Sequence, residues 1–473
     1  MRLFPLKYLL AFLAVLSLTD VVAAPLPDLG NPSNAVLTHD EETQLGKDFI
    51  QAVRQHRSLL AYPLLTDYIQ SLGERLVSYA DAQGKQFHFF VVQDSEINAF
   101  AGPDATVGVN SGLILITQTE SELGAVMSHE IAHVTQDHIA RAIAEAKALS
   151  LPAIGASLAA LLIGAESNNP NAGTGAAMAI AAGSIQHGIN FTRSNEAEAD
   201  AIGMHILYRT GFDPAAMPDF FARMQRTMLD YDDETPSFLK THPVTPVRIA
   251  DAKNRATQFP QRVFSSSQRY YLMQAQLRVE TMGTWYEATN YFKRALKNGA
   301  PARQRAAQYG YALALLKNQE PLLAEIEMNK LVAADPAQLI YQMGLAQAEW
   351  ANHKTTQALN VLKENLELYP DNYPLILQYA TLLLDANQPE AARRLLLSHV
   401  QQNSCDSRFY DLLARAQAAS GHLADAYLSR ATLYAAAGDK HSAILQLEQA
   451  LRLPQLDKNT IAIIKAKLHA LTL

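Results

Sequence analysis

The period of hydrophobic and polar positions changes several times along the chain, and each change marks an element. From Thr38 a helical pattern begins whose first turn holds Asp40, Glu41 and Glu42, with the Thr38 hydroxyl placed to cap it. A second amphipathic stretch runs from Leu64 to Ala80. At Phe87 to Val92, and again at Ala105 to Thr117, β-branched and aromatic residues with interspersed glycine predict two strands. Glu120 to about Leu149 reads as one long helix. Residues 148–165 are almost wholly small and apolar, 168–175 are rich in Asn, Pro and Gly, and 176–186 are again rich in Ala, so this region predicts a helical hairpin. Its apolar surface either packs inside the domain or meets a partner or a membrane surface. Pro152 and several glycines argue against a spanning helix.

The last two hundred residues follow another rule. Turn residues between paired helices recur at Gly283, Asn318, Asn352, Asn387 and Gly421, at spacings of 35, 34, 35 and 34. That interval is the length of a tetratricopeptide repeat, in which stacked helix pairs form a solenoid with a concave face. A boundary falls near residues 262–268. The fold class expected is an α+β domain at 38–264 followed by an all-α tetratricopeptide solenoid at 265–473.

Composition and charge remove some classes of function. The 39 basic against 46 acidic residues give −7 without long single-sign runs, which provides no case for nucleic acid or for polybasic membrane anchoring. Residues 1–23 carry a signal-peptide pattern: Arg2 and Lys7, an apolar stretch from Tyr8 to Leu18, and a Val21-Val22-Ala23 cleavage site. Export to the periplasm is the expectation, with residues 24–37 a Pro/Asn-rich connector. One cysteine, Cys405, allows no internal disulfide and is read as a small buried apolar residue.

The candidate chemistry lies in His129-Glu130-Ile131-Ala132-His133. Histidines four apart on a helix share a face, so both imidazoles can reach one zinc ion. Glu130 beside them can take a proton from a water attacking a peptide carbonyl. The metzincin extension fails, because Gln136 and Ile139 stand where glycine and histidine would be needed. Glu196 is the best third ligand, sixty-three residues after His133, and Asp200 lies one turn beyond it. One carboxylate can bind the metal while the other accepts the N–H of a ligand histidine. His138 and Glu198 read as solvated helix residues. One Zn2+ per chain is expected, although His and carboxylate ligands do not separate zinc from other divalent metals.

His129 to His133 with Glu196-Ala197-Glu198-Ala199-Asp200 resembles the M48 peptidases, gluzincins with a zincin-like fold and the pattern HExxH followed by ExxAD. Asn98-Ala99-Phe100-Ala101 and Thr241-His242-Pro243 with Arg248 are similar to further segments of that family, so the likeness covers roughly residues 38–255. It implies a zinc metalloendopeptidase. Joined to an export signal and a repeat tail, it implies substrates among outer-membrane proteins that fail to assemble, and a partner in the barrel-assembly machinery. Within this reading His242 either donates to the oxyanion, or fills the open position of the metal and silences the enzyme, or is structural. Arg248 binds substrate, positions that loop, or forms a surface ion pair. The strand Ala105–Thr117, at Val107, Gly108 and Val109, offers an edge to which an extended peptide could add. The competing class is a non-enzymatic scaffold with a structural or vestigial metal site. An intact Glu130, and three protein ligands that leave an open position, favour the enzyme.

Overall fold

The computed structural model describes residues 38–145 apart from 57 and 61, residue 154, residues 193–230, residues 237–400 apart from 298, and residues 407–472. The expected signal at 1–23, the connector at 24–37, the hairpin at 148–186 save Ile154, and Cys405 lie outside the described residues. No described helix is long and apolar enough to cross a membrane.

The first domain opens with α1 (His39–His56) and α2 (Pro63–Val77). Thr38 caps α1 as expected: its hydroxyl accepts from Glu41 N–H at 3.3 Å while the Glu41 carboxylate accepts from Thr38 N–H at 2.8 Å, a reciprocal box. Three strands follow, β1 (His88–Val92), β2 (Ala99–Gly102) and β3 (Thr106–Asn110), in the order β1-β3-β2. β3 runs parallel to β1, with Phe90 opposite Gly108, and antiparallel to β2, with Phe100 opposite Gly108. The second expected strand is therefore shorter than its β-branched content suggested. It ends at Asn110 because Ser111 Oγ donates to Asp94 O at 2.7 Å and accepts from Asp94 N–H at 3.1 Å, starting a short helix, α3 (Ser111–Ile116).

The long helix expected from Glu120 breaks. α4 (Glu120–Thr135) ends at Gln136, Asp137 takes a left-handed φ of 54°, and α5 (His138–Glu145) starts in a new direction. Lys85 holds the break, since its ammonium pairs with Asp137 and donates to Val134 O at 3.3 Å, a cation on the end of α4 where free carbonyls collect. Then come α6 (Arg193–Arg209), α7 (Ala216–Asp230), α8 (Ser237–Thr241) and α9 (Pro246–Ala256). α4 is the central element, with β2 and β3 against one side, α6 along another, and α2 and α7 flanking it.

Among the described residues six helix pairs make the solenoid: α10 (Gln268–Thr281) with α11 (Trp285–Ala295), α12 (Pro301–Lys317) with α13 (Pro321–Ala334), α14 (Leu339–Ala351) with α15 (Thr355–Leu368), α16 (Tyr373–Asp385) with α17 (Pro389–Leu397), α18 (Ser407–Ala419) with α19 (Leu423–Ala436), and α20 (Lys440–Leu451) with α21 (Lys458–Thr472). Of the turn residues read from the repeat, Asn387 and Gly421 take positive φ themselves, whereas after Asn318 and Asn352 the next residue, Gln319 or His353, does so. The sixth pair keeps the register, since Gln455, 34 residues after Gly421, takes a φ of 65° between α20 and α21.

The two halves share one core. A single apolar cluster runs from Leu45 and Phe49 through Met127 and Leu207 to Tyr270, Leu315 and Tyr341, whereas the later repeats close smaller clusters around Leu362, Leu383 and Leu447. Polar contacts follow the same seam. α3 and the loop after it leave carbonyls without helical partners, and the first repeats supply donors. Gln274 Nε2 donates to Ile114 O at 2.7 Å and Thr117 O at 2.8 Å, Tyr270 Oη donates to Thr117 O at 2.9 Å, and Arg303 donates to Gln118 O at 2.8 Å. Buried Glu120 accepts from Ser267 N–H at 2.6 Å and from Tyr68 Oη at 2.9 Å, so the start of α4 is tied to the start of α10.

Candidate metal centre

α4 starts where it does because the Thr119 hydroxyl accepts from Glu122 N–H at 3.2 Å, and because Glu120 and Glu122 sit in a first turn whose free N–H groups favour carboxylates. Two turns on, His129, Glu130 and His133 are all fully buried. The two imidazoles leave the same face one turn apart, and their Nε2 atoms stand 3.0 Å from each other.

α6 brings the carboxylates. It can lie close to α4 because Gly203 faces the His129 backbone, where a Cβ would meet His129 N at 3.0 Å and Cα at 3.1 Å. Glu196 then reaches both histidines, with Oε1 3.4 Å from His133 Nε2 and Oε2 3.6 Å from His129 Nε2. Asp200, one turn later, lies behind the ligand face, its Oδ1 3.0 Å from His129 Nδ1. His242 enters from the end of α8, its N–H bonded to Phe238 O at 2.8 Å and its ring against the Phe238 ring. His242 Nδ1 is 2.9 Å from Glu196 Oε1 and 3.3 Å from His129 Nε2, while its Nε2 is 3.6 Å from Glu130 Oε1.

These positions fit a metal. One donor atom from each of His129, His133, Glu196 and His242 falls within 4.8 Å of the other three, and all four residues are buried. Ligands at about 2.0–2.1 Å from a tetrahedral centre are about 3.3 Å apart; the separations above run from 2.9 to 3.6 Å. Glu130 Oε1 is buried without a hydrogen-bond partner, which is costly unless a bound group completes it.

The charges agree with this reading. Burial disfavours a charged His129, yet Asp200 and Glu196 outweigh it and lift this imidazole to about 9, so the pocket attracts positive charge. For His133 burial wins and the value falls well below the ordinary one. Burial alone would raise Glu196, but the charge of His242 and hydrogen bonds from the three histidines hold it well below the usual carboxylate range. Burial raises Glu130, against the opposing charges of His242 and His129, which moves it toward the range useful to a general base. Asp200 is kept low, against its own burial, by Arg248 and His129.

Several sequence expectations need correction. Arg248 is not a surface ion pair; of its three readings the structure supports positioning of the His242 loop, since Nη1 donates to Pro243 O at 3.3 Å. It is buried, grips Asp200 through Nε at 2.6 Å and Nη2 at 2.8 Å, places Nη1 2.5 Å from Glu196 Oε2, and lies 4.6 Å over the Phe221 ring. It holds both carboxylates in place from behind. Val107, Gly108 and Val109 do not form an edge, since β3 is paired on both sides and buried, leaving no main-chain groups for an added peptide. His138 and Glu198 are not simply solvated. His138 is fully buried, its Nδ1 2.8 Å from His133 Nδ1 and its Nε2 3.2 Å from Glu198 Oε2. A continuous helix would have turned His138 away; the break at Asp137 turns it back. The only local hint was that Asp tolerates left-handed φ better than most residues.

Residues 63–256 match peptidase family M48, and residues 349–416 match the tetratricopeptide repeat. The β-barrel assembly-enhancing protease of Escherichia coli (strain K12) is 37% identical over 433 residues, covering 90% of this chain and 87% of that one. The chain belongs to the β-barrel assembly-enhancing protease family, with an M48 peptidase domain. The protein of the same name from Yersinia pestis is 35% identical over 428 residues, again 90% of this chain and 87% of its own. The mitochondrial metalloendopeptidase OMA1 of Schizosaccharomyces pombe is 27% identical over 213 residues, 44% of this chain and 59% of that protein. As a metallopeptidase the protein works with a metal ion, and the buried donor set above is able to hold one.

Proposed function

We propose that the protein is a zinc-dependent endopeptidase of the periplasm that cleaves outer-membrane proteins which have misfolded or failed to assemble. The observation that carries the reading is the convergence of His129, His133 and Glu196 donors beside a buried Glu130, in a chain whose relatives are named for enhancing β-barrel assembly. Two imidazoles and one carboxylate suit zinc and leave a fourth position for chemistry. When bound, zinc supplies Lewis acidity to the scissile carbonyl and lowers the pKa of the attacking water. Glu130 accepts the proton of that water and passes it to the leaving amine. Asp200 fixes the proton of His129 on Nδ1, and Arg248 keeps Asp200 ionised and oriented. The extended substrate lies along β2, which pairs on one side only among the described residues and packs against α4.

His242 would hold the metal's fourth position in the resting enzyme. Its Nδ1 meets Glu196 and His129 at 2.9 and 3.3 Å, a donor geometry, whereas an oxyanion donor would need to stand off from the ligands. Such a plug suits a protease surrounded by unfolded exported chains. The solenoid docks substrate or the barrel-assembly machinery in a groove of about 1020 Å3 that pairs apolar walls, such as Leu313 and Trp350, with Lys317, Arg408, Glu280 and Asp411. Purified full-length protein, assayed for bound zinc, should cleave an unfolded outer-membrane barrel protein and spare the same barrel once folded in detergent. Equal cleavage of both forms, or metal-free activity, would remove the reading. Replacing His242 by Ala should raise basal cleavage with zinc retained; loss of turnover would make it the oxyanion donor instead.

A further inference from the structure

The two helical histidines of the centre are supported in different ways. His129 has a carboxylate directly behind it, Asp200 at 3.0 Å. Behind His133 stands another imidazole, with His138 Nδ1 at 2.8 Å and the rings crossed at 72° with centroids 4.8 Å apart. Behind His138 in turn stands Glu198, its Oε2 3.2 Å from His138 Nε2 and its side chain 43% exposed.

Proton positions follow from the donors and acceptors alone. If His133 gives its Nε2 lone pair to a metal, its proton sits on Nδ1. That N–H points at His138 Nδ1, which must then be the acceptor, so the proton of His138 sits on Nε2 and is donated to Glu198 Oε2. No other assignment satisfies both contacts with neutral rings. The geometry that allows this is held from elsewhere: Lys85, placed before β1, fixes the left-handed turn at Asp137 that brings His138 back under His133.

We infer that His138 is a positioning residue for the metal centre, which fixes the tautomer and ring angle of His133 and is itself oriented by Glu198. The inference rests on the metalloprotease reading and adds to it a three-residue line, from the centre to the surface, that balances Asp200 on the opposite side. A neutral imidazole polarises its neighbour less than a carboxylate does, so the support is for geometry more than for basicity.

The test is the zinc dissociation constant of the full chain, measured by competition with a chromophoric chelator. His138→Leu should weaken binding by about ten- to a hundredfold, the usual effect of losing such a partner. His138→Asn, whose Oδ1 takes the place of the Nδ1 acceptor, should recover most of that loss, and Glu198→Ala should cost only a few-fold. Zinc held as tightly by His138→Leu as by the parent, or no recovery in His138→Asn, overturns the inference. If His138→Leu does not fold, nitrogen chemical shifts of the imidazoles in the zinc-loaded parent decide: protonated His133 Nδ1 and His138 Nε2 support it, and the reverse tautomers refute it. A parent chain whose zinc binding survives His133→Ala would instead remove the ligand assignment itself.

Discussion

The peptidase domain and the repeats bury different kinds of side chain. Around α4 the interior holds His129, Glu130, His133, His138, Glu196, Asp200, His242 and Arg248, all titratable groups. Among the described residues of the repeats the buried polar side chains other than tyrosines are Gln417 and Ser429, which satisfy each other through a hydrogen bond of 2.7 Å. The repeats thus spend their interior on apolar contact, whose free energy adds pair by pair along the solenoid. The peptidase domain carries a group of charges that desolvation disfavours unless each meets a partner. It tolerates them because Arg248, the histidines and a metal ion close the balance, and because the first repeats brace the elements that present them.

Changes on the two sides should therefore differ in kind. Stripping the metal with a chelator should bring proteolysis to background and lower the melting temperature, because binding to the folded state alone stabilises it; both should return when zinc is added back, as followed by peptide cleavage and calorimetry. Arg248→Ala leaves Asp200 and Glu196 buried with less compensation and should cost about 3–5 kcal/mol by denaturant titration, with Arg248→Lys recovering only part because it cannot grip Asp200 with two parallel bonds. In the repeats, Leu362→Ala should cost about 2–5 kcal/mol while cleavage of a short peptide stays unchanged; a fall in that cleavage would mean the far repeats are not separate from the centre. Gly203→Ala should cost about 1–3 kcal/mol and reduce turnover, since the new methyl pushes α6 from His129. The smallest change is expected at the seam, where Gln274→Ala removes two hydrogen bonds to the segment before α4, worth about 1 kcal/mol each.

The same contrast explains what could be read in advance. Repeats announce themselves because one helix pair, copied at 34 or 35 residues, imposes a period on the sequence, and the turns near Asn318, Asn352, Asn387 and Gly421 follow it. The convergence of donor groups was legible because two short helical patterns, His129 to His133 and Glu196 to Asp200, each set their donors on one helix face, while His242 was reached only through the likeness to M48 peptidases. What could not be read depends on contacts distant in sequence. The break at Asp137 needs Lys85, the end of β3 needs Asp94, and the central place of β3 comes from the pairing of β2, a strand of four residues. His138 was misread, and the surface ion pair offered for Arg248 was wrong, for the same reason, since their carboxylate partners lie on α6.

The most direct test of the account is Glu130→Gln in the full chain, which keeps shape and burial while removing the proton acceptor. Zinc content and melting temperature should match the parent, and cleavage of an unfolded outer-membrane protein should fall to background. A variant that binds zinc as the parent does and still cleaves at a comparable rate would contradict the assignment of Glu130 as the base, and with it the mechanism drawn from this centre.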